Sequence, residues 1–288
     1  MNWRNVVQGQ LVRRTGYELR KAVPKQAAPP PPPVEREEAR PPKFPEVDRL
    51  LRQPVFLLSS VRSGSTLLRM MLNSHPRVHA PHEMHLRRLG VELKSPPLKL
   101  AMEGCGLRRT DLEHLLWDRV LHREMVRHGK DVLVEKTPSN VFGWWRIRQC
   151  WPDARFVFLI RHPLSVARSW HEADPAERPM DKAIPHTLRF MEAVERCRTL
   201  LPGPTYRYED LVADPEKVTR DLCGEIGVEW TPEMLEYGAR DHGPVAKGIG
   251  DWRDKIVTGR VQPGRALPDP SEVPDELVPI ARTWGYLA

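Results

Sequence analysis

Short apolar runs alternate with longer amphipathic segments over most of the chain, which is the pattern of strands followed by helices. Apolar runs predict strands at 54–60, 131–135, 155–161 and 205–208. Helical periodicity predicts helices at 66–73, 111–128, 141–150, 163–171, 181–200, 215–226 and 231–238. Short apolar strands separated by helices are typical of parallel sheets covered on both faces. We therefore expect an α/β, doubly wound three-layer fold with a central, mostly parallel sheet flanked by helices.

The beginning of the chain lacks this alternation. Residues 1–25 carry six basic side chains and one acidic one, and the stretch AAPPPPPVEREEARPPKFP follows. A segment so rich in proline and charge cannot bury a core and is typical of an extended linker. We expect a poorly ordered basic segment and linker over 1–47 and one domain over 48–288. The basic segment would form a frayed terminal helix, with peripheral contact to a membrane surface as the alternative.

Composition and charge are those of an ordinary globular protein and exclude few classes of function. The chain is 40% hydrophobic and 29% charged, as globular proteins are, and most of its net charge of +7 falls in the first 25 residues. Charge alone therefore does not favour a nucleic-acid partner. No apolar stretch reaches the roughly 20 residues of a membrane span. The cysteines lack zinc-type spacing, so we expect reduced thiols in a cytoplasmic protein without a transmembrane segment.

The loop after the first strand, SSVRSGSTLL, is a candidate anion site. Gly64 permits a close turn, Ser65 and Thr66 offer hydroxyls, and the amides of a helix start favour a negative charge. Arg62 adds a positive charge. The alternative is an ordinary strand–helix turn capped by Ser or Thr. The lysine of the nucleoside-triphosphate loop is missing, which disfavours a phosphate-loop kinase.

Two later strands also end in cationic side chains. Lys136 follows the second predicted strand in VEKTPSN, and Arg161 ends the third in RFVFLIRHPLSVARSW. Ligands of doubly wound sheets bind beyond the carboxyl ends of the strands, where both cations would lie. Ser169 lies about two helical turns after Arg161, so the pair predicts a second anion pocket. The alternatives are an exposed loop lysine and a structural ion pair for Arg161.

Together these segments resemble the sulfotransferases that use 3′-phosphoadenosine-5′-phosphosulfate (PAPS). RSGSTLL is similar to the family's 5′-phosphosulfate loop, and RHPLSVARS to its 3′-phosphate motif. YEDLVADPE resembles the segment after its fourth strand, and AKGIGDW its late lysine–glycine loop. The matches occur in the family's order over about residues 55–255. The resemblance implies the P-loop-like sulfotransferase fold, PAPS as the co-substrate and no metal requirement.

The resemblance also assigns roles to individual residues. The residues that would hold the 5′-phosphosulfate are Arg62, Ser63, Gly64, Ser65 and Thr66. The residues that would contact the remainder of the donor are Arg161 and Ser169 at the 3′-phosphate, Tyr208 near the adenine, and Lys247 and Gly248 in the late loop. Ala246 stands where the family's alternative late loop has an arginine. Lys136 would neutralise charge on the transferring sulfuryl group.

A general base is expected in HPRVHAPHEMHLRR, which follows the first helix. This stretch resembles the region where tyrosyl-protein and many bacterial members place a glutamate base, and Glu83 stands there. The flanking His82 and His85 are the alternatives, because the cytosolic small-molecule branch uses histidine. A metal site is a further alternative, although the spacing fits no standard site; its candidate ligands are His75, His79, His82 and His85.

The leading hypothesis is a sulfotransferase that moves a sulfuryl group from PAPS to a hydroxyl. The acceptor would be a small molecule or a glycolipid, with a tyrosyl side chain as the remaining option. Two alternatives from other classes stay open. One is a phosphate-loop kinase, and the other is a non-catalytic binding module with a sulfotransferase-like fold. The sequence makes no prediction of the oligomeric state.

Overall fold

A computed structural model describes residues 38–240, 242 and 259–288 of the chain. Within those residues, one parallel sheet has the strand order β2-β3-β1-β4-β5. Its strands are β1 (Val55–Ser59), β2 (Val78–His79), β3 (Val132–Glu135), β4 (Arg155–Ile160) and β5 (Thr205–Arg207). Crossovers place β1 between β3 and β4, so the expected parallel, doubly wound α/β fold is confirmed.

Helices connect and cover these strands. The α-helices of the described residues are α1 (Pro45–Asp48), α2 (Ser65–Ser74), α3 (Pro96–Gly104), α4 (Arg109–Arg127), α5 (Trp144–Cys150), α6 (Pro163–His171), α7 (Met180–Leu200), α8 (Tyr208–Ala213), α9 (Pro215–Ile226) and α10 (Val278–Thr283). The 3₁₀ turns are Leu86–Arg88, Pro138–Phe142, Pro232–Met234, Tyr237–Ala239, Pro270–Glu272 and Asp275–Leu277. None of the described helices is both long and apolar enough to cross a membrane.

The predicted strands and most of the predicted helices are present with shifted ends. The helix expected at 231–238 is wrong, because the chain there forms two separate 3₁₀ turns. The helix expected at 141–150 begins only at Trp144, after the 3₁₀ turn Pro138–Phe142. Strand β2 has no prediction, since two residues are too short to show periodicity.

The two faces of the sheet bury separate apolar clusters. In β1, Phe56 and Leu58 belong to one cluster, whereas Val55 and Leu57 belong to the other. This alternation follows from the two-residue period of a strand. Each fully buried side chain of this size contributes about 1.5–3 kcal/mol. The sheet is therefore fixed from both sides, and its carboxyl edge is a rigid platform for the loops that follow each strand.

Gly64 allows the loop after β1 to lie against the beginning of α8. Its φ of 85° is in the left-handed region, which glycine adopts without steric cost. A Cβ added there would lie 2.2 Å from Cδ2 of the Tyr208 ring. The loop and Tyr208 can therefore approach this closely only because position 64 has no side chain.

Gly64→Ala should destabilise the fold more than Gly129→Ala. Both glycines have positive φ, 85° and 64°, but a Cβ at Gly129 meets nothing within 4 Å. Each alanine should cost about 1–2 kcal/mol for the left-handed backbone. Contact with the Tyr208 ring should add about 1–3 kcal/mol at Gly64 alone. Urea unfolding of both variants measures the difference.

Replacing Tyr208 as well isolates that contact. In the Gly64→Ala, Tyr208→Ala double variant the added methyl group no longer meets the ring, so the two substitutions should be strongly non-additive. Equal losses of unfolding free energy in Gly64→Ala and Gly129→Ala would contradict this account of the loop.

Candidate active site

The loop between β1 and α2 lies at the centre of the carboxyl edge of the sheet. Arg62 has a φ of 61°, an uncommon conformation for a residue with a side chain, and such strain is concentrated at functional sites. The hydroxyls of Ser60 and Ser63 are 2.5 Å apart and hold the loop together. No side chain of the described residues caps the start of α2 at Gly64. The first amides of the helix thus form an electropositive end suited to an anion.

On one side of this loop lies the base cluster, formed by Glu83, Lys136 and Thr66. The ammonium of Lys136 donates a hydrogen bond of 2.6 Å to Glu83 Oε1 and one of 3.3 Å to Thr66 Oγ1. The second carboxylate oxygen of Glu83 is 3.7 Å from Nε2 of His85. The structure thus brings together three residues that the sequence places far apart.

The charges of the base cluster are strongly buried. Lys136 has only 1% of its side chain exposed, and Glu83 has 14%. Burial lowers the pKa of Lys136, while the nearby Glu83 carboxylate acts in the opposite direction. Arg69 on α2 is also buried, which lowers its pKa to about 10 against the opposing effect of Glu83. The Glu83 carboxylate therefore pairs with Lys136 and acts electrostatically on Arg69, in a site largely closed to water.

A second buried carboxylate, Glu135, lies behind the base cluster. It accepts hydrogen bonds from Thr137 Oγ1 at 2.6 Å, from the amide group of Asn140 and from the backbone N–H of Met84 at 3.4 Å. Burial raises the pKa of Glu135, and these donors oppose that change. The contact with Met84 connects the end of β3 to the segment that carries Glu83.

Sequence reasoning missed Glu135 and Arg69, although both carried a signal. Glu135 is an acid at the end of an apolar strand, which is as unusual as the arginine at position 161 that ends the next strand of the chain. An arginine in the middle of LLRMML is equally out of place on an apolar helix.

On the other side of the loop lies the arginine cluster, formed by Arg62, Arg161, Ser169 and Tyr208. Nε of Arg62 donates to the hydroxyl of Ser169 at 3.2 Å, and Nη1 of Arg161 donates to the carbonyl of Arg62 at 3.0 Å. The guanidinium of Arg161 lies 4.3 Å from the centroid of the Tyr208 ring. The predicted convergence of Arg161 and Ser169 is present, and Arg62 connects them.

A cavity of about 330 Å³ opens beside the arginine cluster. Arg161, Tyr208 and Arg265 are among its lining residues. Arg265 is held by Glu172 through two hydrogen bonds of 2.6 and 2.8 Å. Sequence reasoning missed Arg265, because a single arginine after a Pro-Gly turn carries no motif.

The alternative of a structural ion pair for Arg161 finds no support in the described residues. Its Nε is buried without a hydrogen-bond partner there, and burial lowers its pKa. The nearby Glu209 carboxylate accepts instead from the backbone N–H of His162 at 3.1 Å and from the hydroxyl of Tyr286 at 2.6 Å. A guanidinium placed in this way is suited to an anionic ligand.

The other predicted residues are those of the late loop and the histidines near Glu83. Lys247 and Gly248 lie outside the described residues, as does the basic N-terminal segment. The four-histidine metal alternative loses one member, because both ring nitrogens of His75 bond to backbone. Its Nε2 donates to the carbonyl of Glu229 at 2.7 Å, and its Nδ1 accepts from the N–H of Arg77 at 3.0 Å. His82 and His85 flank Glu83 as expected.

Comparisons with known proteins show which proteins this chain is similar to. A protein-tyrosine sulfotransferase of Drosophila melanogaster is 24% identical over 200 residues, which cover 64% of this chain and 40% of that protein. The omega-hydroxy-beta-dihydromenaquinone-9 sulfotransferase Stf3 of Mycobacterium bovis is 23% identical over 205 residues, covering 60% and 53%. The chain thus spans about half or less of the length of these curated relatives.

A solved structure extends the likeness to the fold. The sulfotransferase domain of the Synechococcus PCC 7002 olefin synthase has a TM-score of 0.60 and 21% identity, covering 88% of this chain and all of that domain. The family model described as "Sulfotransferase family" matches residues 54–232, which include every residue of the base cluster and the arginine cluster. The chain therefore belongs to the sulfotransferase family.

Proposed function

We propose that the protein transfers a sulfuryl group from PAPS to a hydroxyl of its acceptor. The observation that carries this proposal is the arrangement of two cationic clusters on opposite sides of the loop at 60–66. One cluster holds Lys136 beside a carboxylate, and the other holds Arg161 without a carboxylate partner among the described residues. A donor with a phosphosulfate at one end and a phosphate at the other matches this division.

The donor would lie across the carboxyl edge of the sheet. Its 5′-phosphosulfate would contact the loop amides, the hydroxyls of Ser65 and Thr66 and the start of α2. Its 3′-phosphate would bind Arg161, Ser169 and Arg62, with the adenine near Tyr208. Charged, fork-shaped guanidinium groups bind phosphate through paired hydrogen bonds, which favours this ligand over one lacking a 3′-phosphate.

Transfer requires the acceptor oxygen to attack sulfur while the bond between sulfur and the phosphate oxygen breaks. Glu83 would accept the proton of the acceptor hydroxyl, and adenosine 3′,5′-bisphosphate would leave. Protonation would neutralise Glu83 and so free the ammonium of Lys136 to interact with the sulfuryl oxygens. A cation already positioned in a site with little water stabilises such charge without reorganisation.

The acceptor of the proposed reaction is a separate question from the donor. The relatives named above include one that acts on protein tyrosine and one named for a hydroxylated menaquinone, so the acceptors within the family differ. We propose a small-molecule or glycolipid hydroxyl as the acceptor. A panel of phenolic, alkyl and sugar hydroxyls offered with radiolabelled PAPS would identify the class.

The donor assignment predicts selective binding of adenosine 3′,5′-bisphosphate over ADP and ATP. The 3′-phosphate adds charge-assisted hydrogen bonds that the other nucleotides cannot form, so binding should be at least about tenfold tighter. Titration calorimetry on the full chain measures all three affinities. Equal or tighter binding of ATP would overturn the proposal and favour a kinase.

Arg161→Lys should remove much of this preference. Lysine keeps the charge but loses the fork, so bisphosphate affinity should fall about tenfold while ADP affinity changes little. Arg168→Lys is the matched control, because Arg168 lies seven residues later on α6 and pairs with Glu272 at an exposed site. Equal effects of the two variants would contradict a role for Arg161 at the 3′-phosphate.

Glu83→Gln should abolish transfer without weakening donor binding. Removal of a general base typically lowers the turnover number by about 10²- to 10⁴-fold. The bisphosphate affinity should stay within about twofold, since Glu83 is not placed against the donor nucleotide. The exposed Glu92→Gln is the matched control. Unchanged turnover in Glu83→Gln would move the base to His85 or His82, which the corresponding glutamine variants would then test.

A further inference from the structure

A third cluster of chemically active side chains lies at the edge of the sheet, away from the base cluster and the arginine cluster. It consists of His79 on β2 together with Glu124 and His128 at the end of α4. One ligand atom from each of these residues lies within 4.8 Å of those of the other two. No role in the proposed reaction uses any of the three.

His79 has an unsatisfied polar atom at this position. The residue is only 5% exposed, and its Nε2 is buried without a hydrogen-bond partner among the described residues. Buried ring nitrogens in native proteins are nearly always paired, so an unpaired one indicates a partner of another kind. Its ring stacks on that of His128, with centroids 4.2 Å apart.

His128 presents its other ring nitrogen as a free acceptor. Its Nδ1 is 2.7 Å from the carbonyl oxygen of Glu124. Because a carbonyl can only accept, Nδ1 carries the proton and Nε2 carries the lone pair. A backbone carbonyl bonded to the distal nitrogen is the usual outer-shell arrangement of a metal-binding histidine.

The spacing of the two helical residues supports the same conclusion. Glu124 and His128 are four residues apart, so their side chains lie on one face of the helix end. The Glu124 carboxylate now accepts hydrogen bonds from Arg123 at 2.8 Å and Arg127 at 3.5 Å. Both arginines are more than 60% exposed, and exposed pairs of this kind contribute little.

We propose that His79, Glu124 and His128 form a binding site for a divalent transition-metal ion such as Zn²⁺. Two imidazole nitrogens and one carboxylate oxygen are a ligand set that zinc accepts, with water at the remaining position. Parallel stacked rings cannot both point their nitrogens at one ion, so the exposed His128 ring turns out of the stack on binding. The ion then joins the short edge strand β2 to the end of α4. Its ligand on β2, His79, lies four residues before Glu83 in the sequence.

Titration of the full chain tests this site directly. The protein is purified without a histidine tag, treated with a chelator and titrated with Zn²⁺ by calorimetry. Co²⁺ in a parallel titration gives the visible absorption of a protein-bound, low-coordinate ion. We expect one tight site and a raised midpoint of thermal unfolding in the presence of Zn²⁺.

Variants of Glu124 and His128 distinguish Zn²⁺ binding at this site from binding to other histidines of the chain. His128→Ala and Glu124→Gln replace residues at or near the surface and should fold, yet each should weaken binding by at least about tenfold. His122→Ala is the matched control, since His122 lies on the same helix outside the trio. Absence of tight Zn²⁺ binding, or unchanged affinity in both His128→Ala and Glu124→Gln, would overturn the proposal. Neither result depends on whether the protein transfers sulfuryl groups.

Discussion

Lys136 carries its ammonium group at the end of a buried strand with 1% of its side chain exposed. A charge removed from water to this degree costs several kcal/mol unless it is paired and hydrogen-bonded. Its partners are therefore a condition of the fold, and they come from two other segments, the loop after β2 and the start of α2. Truncating one partner would leave the other charge buried and uncompensated, whereas a glutamine at position 83 can still accept the hydrogen bond of Lys136 through its amide oxygen. The residues of the proposed chemistry therefore also hold the site together.

The strand order explains why the loop after β1 is central. Strand β1 lies between β3, which ends before Lys136, and β4, which ends before Arg161. Parallel strands present their carboxyl ends at one edge, and a ligand there can contact all three loops. In the proposed reaction, proton transfer and sulfuryl transfer take place on one side of the loop, and the 3′-phosphate and adenine bind on the other. Substitutions on the two sides should accordingly separate effects on turnover from effects on donor affinity.

Much of this arrangement could be predicted from the sequence, because its signals were local. Apolar runs ending in Arg161 or before Lys136 marked both strand ends, and RSGST marked the loop. The placement of Arg161 and Ser169 at one crevice also followed from a parallel sheet, whereas the hydrogen bond from Arg62 to Ser169 was not predicted. Residues whose role depends on distant partners were missed. Arg265 has no motif of its own, and its position depends on Glu172, 93 residues earlier in the chain.

The sequence pattern also failed to predict local structure that depends on contacts with other segments of the chain. Two residues pair with β3 to form β2, and no periodic pattern can show so short a strand. The sequence analysis assigned a role to Lys136 and none to Glu135, the residue before it. An acidic side chain buried at the end of a strand is nevertheless an unusual observation. Local propensity at 231–238 favoured a helix, whereas the structure has two 3₁₀ turns there.

The hydrogen bond from Arg161 to the carbonyl of Arg62 has a consequence for ligand design. It connects Arg161 to the backbone of the loop at 60–66, so in the proposed mode of binding a ligand that orders the loop also restricts Arg161. Ordering the loop and Arg161 costs conformational entropy. A molecule with two anionic groups on one rigid frame would incur this entropy loss once, whereas two separate fragments would each incur it. Inhibitors of this protein should therefore gain more from joining two modest fragments at the correct spacing than from improving either fragment alone.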